Sequence, residues 1–286
     1  MKVGIVSPVV TAVPGAVAPW EEQAGIHELA TIARAADRLG FAHLTCSEHV
    51  AVPTAVAAQR GATYWDPLAT FGYLAAITQR IRLATQVLVL GYHHPLEIAK
   101  RYGTLDQVSG GRLVLGLGVG TLEEEFELLD KPFGGRGARA DDALRALRAS
   151  LGAEEPSYAG THYAFKDMVV RPAARQERVP LWIGGSSLKS LQRGAALADG
   201  WVPFGLDLAG YRALLDKVER PAGFDVVLPA GHLDPVGDPG KALRRLTATA
   251  EAGATILNVT IRAESVDHYV EQLEALAALV DLDPAT

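Results

Sequence analysis

Short runs of apolar residues alternate along the chain with segments in which apolar residues recur every three or four positions. The runs predict β-strands and the recurring positions predict helices. The strands are predicted at residues 3–6, 41–46, 81–90, 112–120, 179–183, 200–202, 224–228 and 255–261. The helices are predicted at residues 26–39, 68–78, 94–105, 141–151, 188–198, 208–218, 239–252 and 265–279. This alternation over 286 residues predicts one α/β domain, residues 1–286, folded as a (β/α)8 TIM barrel.

Local signals support several helix boundaries. Gly40 follows the first helix and is a typical C-terminal stop. Asp66-Pro67 and Asp238-Pro239 each combine an N-cap residue with a proline at the first helical position. The alternation stops between residues 121 and 178, where residues 123–139 and 156–178 are interpreted as an insertion at the barrel mouth.

Composition narrows the classes of function. Hydrophobic residues make up 49% of the chain and charged residues 21%, which indicates an ordered globular protein. The net charge of −6 and the lack of a basic cluster argue against a nucleic-acid partner. No apolar stretch approaches the roughly 20 residues of a membrane helix, and no signal peptide is evident. The single cysteine, Cys46, cannot form an internal disulfide, so we expect a cytoplasmic protein.

Polar residues at strand ends are the first candidates for chemistry in such a barrel. Glu48 and His49 follow the second strand, and a carboxylate beside an imidazole can position a proton near neutral pH. A plain surface turn is the alternative. His93 and His94 follow the third strand without metal-ligand spacing to other residues, so no metal site is predicted.

Two glycine patterns follow later strands. Gly184-Gly185-Ser186-Ser187 begins a helix, and its backbone N–H groups could bind a phosphate; an ordinary turn with a serine cap is the alternative. Gly116, Gly118 and Gly120 alternate along the fourth strand but lack the acidic residue of a dinucleotide fingerprint. We interpret these three glycines as clearing space inside the barrel for a flat ligand.

Several separated motifs together carry a family resemblance. They are Ser47-Glu48-His49, Tyr64-Trp65-Asp66-Pro67-Leu68, Ile81-Arg82-Leu83-Ala84-Thr85-Gln86-Val87, His94-Pro95, Leu105-Asp106-Gln107-Val108-Ser109-Gly110-Gly111-Arg112, Gly118-Val119-Gly120, Trp182-Ile183-Gly184-Gly185 and Ala198-Asp199-Gly200-Trp201. The chain resembles the luciferase-like monooxygenase superfamily from residue 1 to about residue 206, and most closely its deazaflavin branch, which uses coenzyme F420. The remaining C-terminal region carries fewer motifs and is predicted to be shortened.

The resemblance implies a role for each motif. His49 would lie beside the reactive ring of the cofactor and assist proton or hydride movement, and Glu48 would contact the cofactor. A cis peptide bond between Gln86 and Val87 would back the central ring. The side chain and phosphate of the cofactor would meet a set of residues after strands four and five: Val119, Gly120, Gly184, Gly185, Ser186 and Ser187.

The sequence departs from one branch of the family. Where sugar-phosphate dehydrogenases have an acidic glutamate after the strand-four glycines, this chain has Thr121, so that substrate is not carried over. The later glutamates, Glu123, Glu124 and Glu125, are interpreted as a solvated helix start. Residues 131–139, with three glycines and three cationic side chains, predict either a mobile lid over an anionic cofactor tail or a solvent loop.

The predicted function is therefore hydride transfer between coenzyme F420 and an unidentified small organic molecule. Two alternatives stay open. One is an FMN-dependent monooxygenase supplied by a separate reductase, and the other is a non-catalytic homologue that binds a flavin or deazaflavin. A homodimer is compatible with the sequence, and no membrane partner is expected.

Overall fold

Each of the eight predicted apolar runs forms a parallel strand in the computed structural model, which describes residues 1–15 and 17–283. The strands are β1 Lys2–Ile5, β2 Thr11–Ala12, β3 His43–Cys46, β4 Thr63–Tyr64, β5 Arg82–Thr85, β6 Leu88–Val89, β7 Leu113–Gly118, β8 Tyr158–Ala159, β9 Ala164–Phe165, β10 Leu181–Gly184, β11 Gly200–Val202, β12 Asp225–Leu233 and β13 Ile256–Ile261. The helices are α1 Ile26–Leu39, α2 Thr54–Arg60, α3 Pro67–Ile77, α4 Pro95–Val108, α5 Glu123–Leu128, α6 Arg136–Ser150, α7 Leu188–Leu197, α8 Leu208–Leu215, α9 Pro239–Glu251 and α10 Val266–Leu279. Two 3-10 helices span Pro19–Glu22 and Leu90–Tyr92.

The barrel strands follow the order β1, β3, β5, β7, β10, β11, β12 and β13. Pairing of β13 with β1 closes the ring, with Lys2 opposite Ile256 and Ile5 opposite Val259. The (β/α)8 prediction is confirmed. Helix α1 shows why the pattern worked, because its buried Leu29 and Ile32 recur at helical spacing and Gly40 ends it with a φ of 84°.

The third predicted strand, residues 81–90, is divided into β5 and β6 by the peptide bond Gln86–Val87. This bond is cis, as predicted. A Cβ atom on Gly116 would lie 1.9 Å from the carbonyl oxygen of Thr85, and one on Gly118 would lie 2.6 Å from Val87 Cγ2. The space beside these two glycines is therefore filled by the β5–β6 junction. For Gly116 this corrects the interpretation that the strand-four glycines clear space for a flat ligand. Gly118 and Gly120 line the cavity described below, so for them the interpretation stays a prediction.

The insertion between β7 and β10 contains more structure than predicted. Helix α5 begins at Glu123, where the glutamates predict a helix start, whereas the hairpin of β8 and β9 was not predicted. Helix α6 begins at Arg136, before the predicted start at residue 141. The carboxylate of Asp142 on α6 accepts hydrogen bonds from Tyr158 Oη at 2.6 Å and from the backbone N–H of His162 at 2.6 Å. Residues 136–139, the last part of the segment predicted as a lid, form the first turn of α6. The closure of a mobile lid over the cofactor stays a prediction.

Candidate active site at the carboxyl end of the barrel

A cavity of about 610 Å³, called here the site cavity, lies where β1, β3, β5, β7 and β10 end. Eight of the ten predicted site residues lie on its wall: Glu48, His49, Gln86, Val87, Val119, Gly120, Gly184 and Gly185. The other two, Ser186 and Ser187, follow Gly185 and do not line it. The fold thus brings residues from four separate strand ends to one place.

A larger groove of about 1040 Å³ lies at the opposite end of the barrel. It contains none of the predicted site residues. Three of its charged side chains are paired with one another, since Arg148 and Arg178 both bind the carboxylate of Asp199. The carboxyl end of the strands is where catalytic residues gather in this architecture, so the site cavity is the candidate active site.

The wall of the site cavity is mostly apolar. Its aliphatic and aromatic side chains are Val6, Val10, Val13, Tyr64, Val87, Val89, Tyr92, Val119 and Phe204. Arg60 is the one arginine or lysine among the described lining residues, and its Nη1 donates to Thr121 Oγ1 at 3.2 Å. Thr11 also lines the cavity, and its buried Oγ1 has no hydrogen-bond partner among residues 1–15 and 17–283.

Both carboxylate oxygens of Glu48 are engaged by the protein. Oε2 accepts a hydrogen bond from the backbone N–H of Val89 at 2.7 Å, and Oε1 lies 2.7 Å from His93 Nε2. The other ring nitrogen of His93 lies 3.5 Å from Glu97 Oε1. Burial lowers the pKa of His93, but Glu48 and Glu97 outweigh it and hold that pKa above its ordinary value. His93, which the sequence left without a role, is therefore part of the wall's support.

His49 is held by a residue that the sequence interpretation placed in solvent. Its Nδ1 lies 2.7 Å from Oε2 of Glu125, and its ring meets that of Tyr64 edge to face at a centroid distance of 4.4 Å. Glu123 and Glu124 are exposed as expected, whereas Glu125 is 1% exposed. The interpretation of Glu125 as solvated is wrong.

The inward position of Glu125 follows from its neighbour in α5. Phe126 is fully buried and packs edge to face on Tyr92 and Phe133, with centroid distances of 4.9 and 5.3 Å. Gly120 permits this approach, because a Cβ there would lie 2.5 Å from the Phe126 ring. An aromatic anchor beside the third glutamate was the available sequence signal.

Ser187, after β10, has a structural use in this protein. Ser187 is the N-cap of α7, where its Oγ accepts from the backbone N–H of Ser190 at 3.2 Å. The carbonyl oxygen of Gly185 accepts from Ser190 Oγ and from Trp201 Nε1 at 2.9 and 3.0 Å. These bonds fix the chain where it borders the site cavity.

Cys46 lies on the cavity wall but is only 1% exposed. Its Sγ donates to the carbonyl oxygen of Trp65 at 3.4 Å. Burial raises the pKa of the thiol to about 12, so the nucleophilic thiolate is not populated near neutral pH.

A chain of polar contacts connects the barrel interior to the cavity wall. Nε2 of the buried His43 lies 3.2 Å from Asn258 Oδ1, and Asn258 Nδ2 donates to Gln86 Oε1 at 2.8 Å. Burial lowers the pKa of His43 to about 4, so its ring is neutral. The network fixes the orientation of the Gln86 side chain.

No group of three or more His, Cys, Asp or Glu side chains in the described part of the chain is placed to hold a metal ion. None of the helices formed by residues 1–15 and 17–283 combines the length and apolar character that a membrane crossing requires.

Comparison with known proteins identifies similar chains. The family model described as luciferase-like monooxygenase matches residues 1–232. An uncharacterised protein of Mycobacterium tuberculosis is 31% identical over 264 residues, covering 87% of this chain and 92% of the relative. An F420-dependent glucose-6-phosphate dehydrogenase of Microbacterium testaceum is 30% identical over 186 residues, covering 63% of this chain and 53% of the relative. An FMNH2-dependent dimethylsulfone monooxygenase of Pseudomonas putida is 26% identical over 195 residues, covering 67% and 52%.

A solved structure matches the whole barrel. Coenzyme F420-dependent tetrahydromethanopterin reductase of Methanopyrus kandleri superimposes with a TM-score of 0.76 over 96% of both chains, at 14% sequence identity. At that identity the match supports the fold alone.

Proposed function

The chain belongs to the luciferase-like monooxygenase family, and from that premise we propose that it transfers a hydride between coenzyme F420 and a small organic substrate. The family contains oxidoreductases that depend on F420 and others that depend on FMNH2. The observation that carries the proposal is the convergence of the predicted cofactor residues on one apolar cavity beside His49.

The residues of the site cavity fit a flat ring with a polar edge. Apolar side chains from different strand ends, including Val6, Val87 and Val119, form the wall. The buried Oγ1 of Thr11 is a hydrogen-bonding group without a partner among the described residues. Leaving such a group unpaired is costly, and a heteroatom at the ring edge would satisfy it.

Bound coenzyme F420 would supply the carbon that accepts or donates the hydride. His49 would hold or take up the accompanying proton, because its ring lines the cavity and an imidazole nitrogen can accept or donate a proton. The valines of the wall would exclude water from the reacting atoms.

The backbone from Gly184 to Ser187 and the stretch Val119-Gly120 would meet the cofactor's side chain. Glu48 lines the cavity and would contact the cofactor. Its carboxylate also holds the backbone N–H of Val89 and the ring of His93 in place.

The test is a titration of the purified protein with coenzyme F420 and with FMN, each oxidised and reduced. We expect F420 to bind at least about tenfold more tightly than FMN, a difference of about 1.4 kcal/mol. Equal or reversed affinities would contradict the proposal and favour the FMN-dependent alternative. His49→Ala separates an enzyme from a non-catalytic carrier, because it should abolish turnover while cofactor binding largely persists.

A further inference from the structure

Glu125 is a buried carboxylate surrounded by hydrogen-bond donors. Its Oε1 faces the backbone N–H groups of Val50 and Ala51 at 2.6 and 3.3 Å. Its Oε2 faces Tyr92 Oη at 2.6 Å and His49 Nδ1 at 2.7 Å. Two of these four partners are backbone amides, which can only donate.

The ring of contacts fixes the charge of Glu125. Burial alone would raise its pKa, but the hydrogen bonds from His49 and Tyr92, together with the N–H of Val50, hold that pKa below its ordinary value. An ionised carboxylate only accepts hydrogen bonds. The nitrogen of His49 that faces it must therefore carry a proton.

From this geometry we infer that Glu125 is a positioning residue that fixes the tautomer of His49. The proton resides on Nδ1, and the neutral ring presents the lone pair of Nε2 on the side of the site cavity. When Nε2 takes up a proton, the carboxylate of Glu125 offsets the charge of the imidazolium, as the aspartate does in a Ser-His-Asp triad. The tautomer does not depend on the cofactor, whereas its use in proton transfer rests on the proposed function.

Replacing Glu125 by glutamine gives a sharp test, because an amide cannot satisfy all four donors. The backbone N–H groups of Val50 and Ala51 cannot turn, so the amide oxygen must face them. The amide NH2 then points at His49 Nδ1 and donates to it. The neutral ring must consequently move its proton to Nε2, which removes the lone pair from the cavity side.

The measurement is nitrogen-15 NMR of the histidine side chains in the cofactor-free protein, under mildly alkaline conditions in which an imidazole is neutral. The His49 signals are assigned with His49→Gln. In the wild type we expect a protonated Nδ1 and an unprotonated Nε2, and in Glu125→Gln the reverse. Glu123→Gln and Glu124→Gln are matched controls, since both residues are exposed on the same helix, and they should leave the His49 signals unchanged.

Two outcomes overturn the inference. One is a wild-type His49 that carries its proton on Nε2, a result that needs no variant to fold. The other is a folded Glu125→Gln whose His49 signals match the wild type. Tyr92→Phe distinguishes a local effect from general damage, because it removes one donor but leaves the carboxylate, so the wild-type tautomer should persist.

Cofactor titration of the same variants separates this inference from the proposed function. Glu125→Gln should bind coenzyme F420 within about threefold of the wild type, because Glu125 contacts His49 rather than the wall valines. A wild type that binds no F420 would remove the proposed function while leaving the tautomer result intact.

Discussion

Glu48 and His93, 45 positions apart in the sequence, are joined by a 2.7 Å contact beside the site cavity. The contact connects the end of β3 to the segment that precedes α4. Because Glu48 also accepts from the backbone N–H of Val89, one carboxylate ties three parts of the wall together.

We expect His93→Gln to lower the free energy of unfolding by about 1.5–3 kcal/mol, typical of a hydrogen bond to a charged group. The pKa of His93 is raised in the folded protein, so its contribution is fully present below the unfolded value of 6.5 and is lost as the pH rises through the higher folded value. Urea unfolding of the wild type and of His93→Gln over a series of pH values measures how the stability difference between them changes with pH. A difference that stays constant with pH would contradict it. The exposed His27 provides the control variant His27→Gln.

His43 should behave in the opposite way. Its folded pKa of about 4 lies below the unfolded value of 6.5, so the unfolded chain takes up a proton first as the solution is acidified. The protonation of His43 in the unfolded chain should by itself lower the free energy of unfolding by about 3 kcal/mol as the pH falls from 6.5 to about 4. NMR of the histidine rings measures the protonation state of His43 directly. Its ring signals should remain those of a neutral imidazole at pH 6. A midpoint near 6.5 would be inconsistent with the buried network through Asn258.

Two glycines allow a matched comparison. Gly116→Ala should destabilise the protein by about 1–3 kcal/mol or more, since the new Cβ would lie 1.9 Å from the carbonyl oxygen of Thr85. Gly72→Ala should stabilise it by about 0.5–1 kcal/mol, because Gly72 lies inside α3 with no atom near the new methyl group. Thermal and urea unfolding of both variants measure these changes in stability. If the two variants changed the free energy of unfolding equally, the backbone at the β5–β6 junction would have to move aside at little cost.

Arg60 should contribute to binding an anionic cofactor at the mouth. Arg60→Ala is expected to weaken F420 binding by about three- to tenfold, about 0.6–1.4 kcal/mol, at low salt and by less at high salt. Arg38→Ala is the control, because Arg38 lies near the end of α1, at the other end of the barrel, and pairs with Glu274. Binding isotherms at two ionic strengths provide the measurement. An identical loss at both salt concentrations would indicate a packing effect instead.

The barrel was predictable because its elements carry their own signals. Apolar runs gave the strands, and Asp66-Pro67 and Gly40 marked helix ends that the structure confirms within about two residues. The ends of parallel strands meet at one edge, so polar residues placed there converge without further information. This is why Glu48, His49, Gln86 and Gly184 all lie on one cavity.

The supporting contacts were not predictable in the same way. Glu123, Glu124 and Glu125 are chemically identical, and only the burial of Phe126 among distant aromatic rings turns the third one inward. The need for glycine in β7 also depends on residues that are distant in the sequence. Gly116 leaves room for the carbonyl oxygen of Thr85, and Gly118 leaves room for the side chain of Val87. Periodicity reports which face of an element is buried, and it does not report which distant atom fills the space.

The pairing of β1 with β13 also governs how the chain can fold as it is made. The first barrel strand leaves the ribosome long before its partner at residues 256–261, and at about 5–20 residues per second the interval is roughly tens of seconds. Throughout that interval one edge of β1 has unpaired N–H and C=O groups, which can template pairing with other chains. Final closure therefore follows translation of nearly the whole barrel, and a nascent chain stalled before β13 is a substrate for chaperones or aggregation.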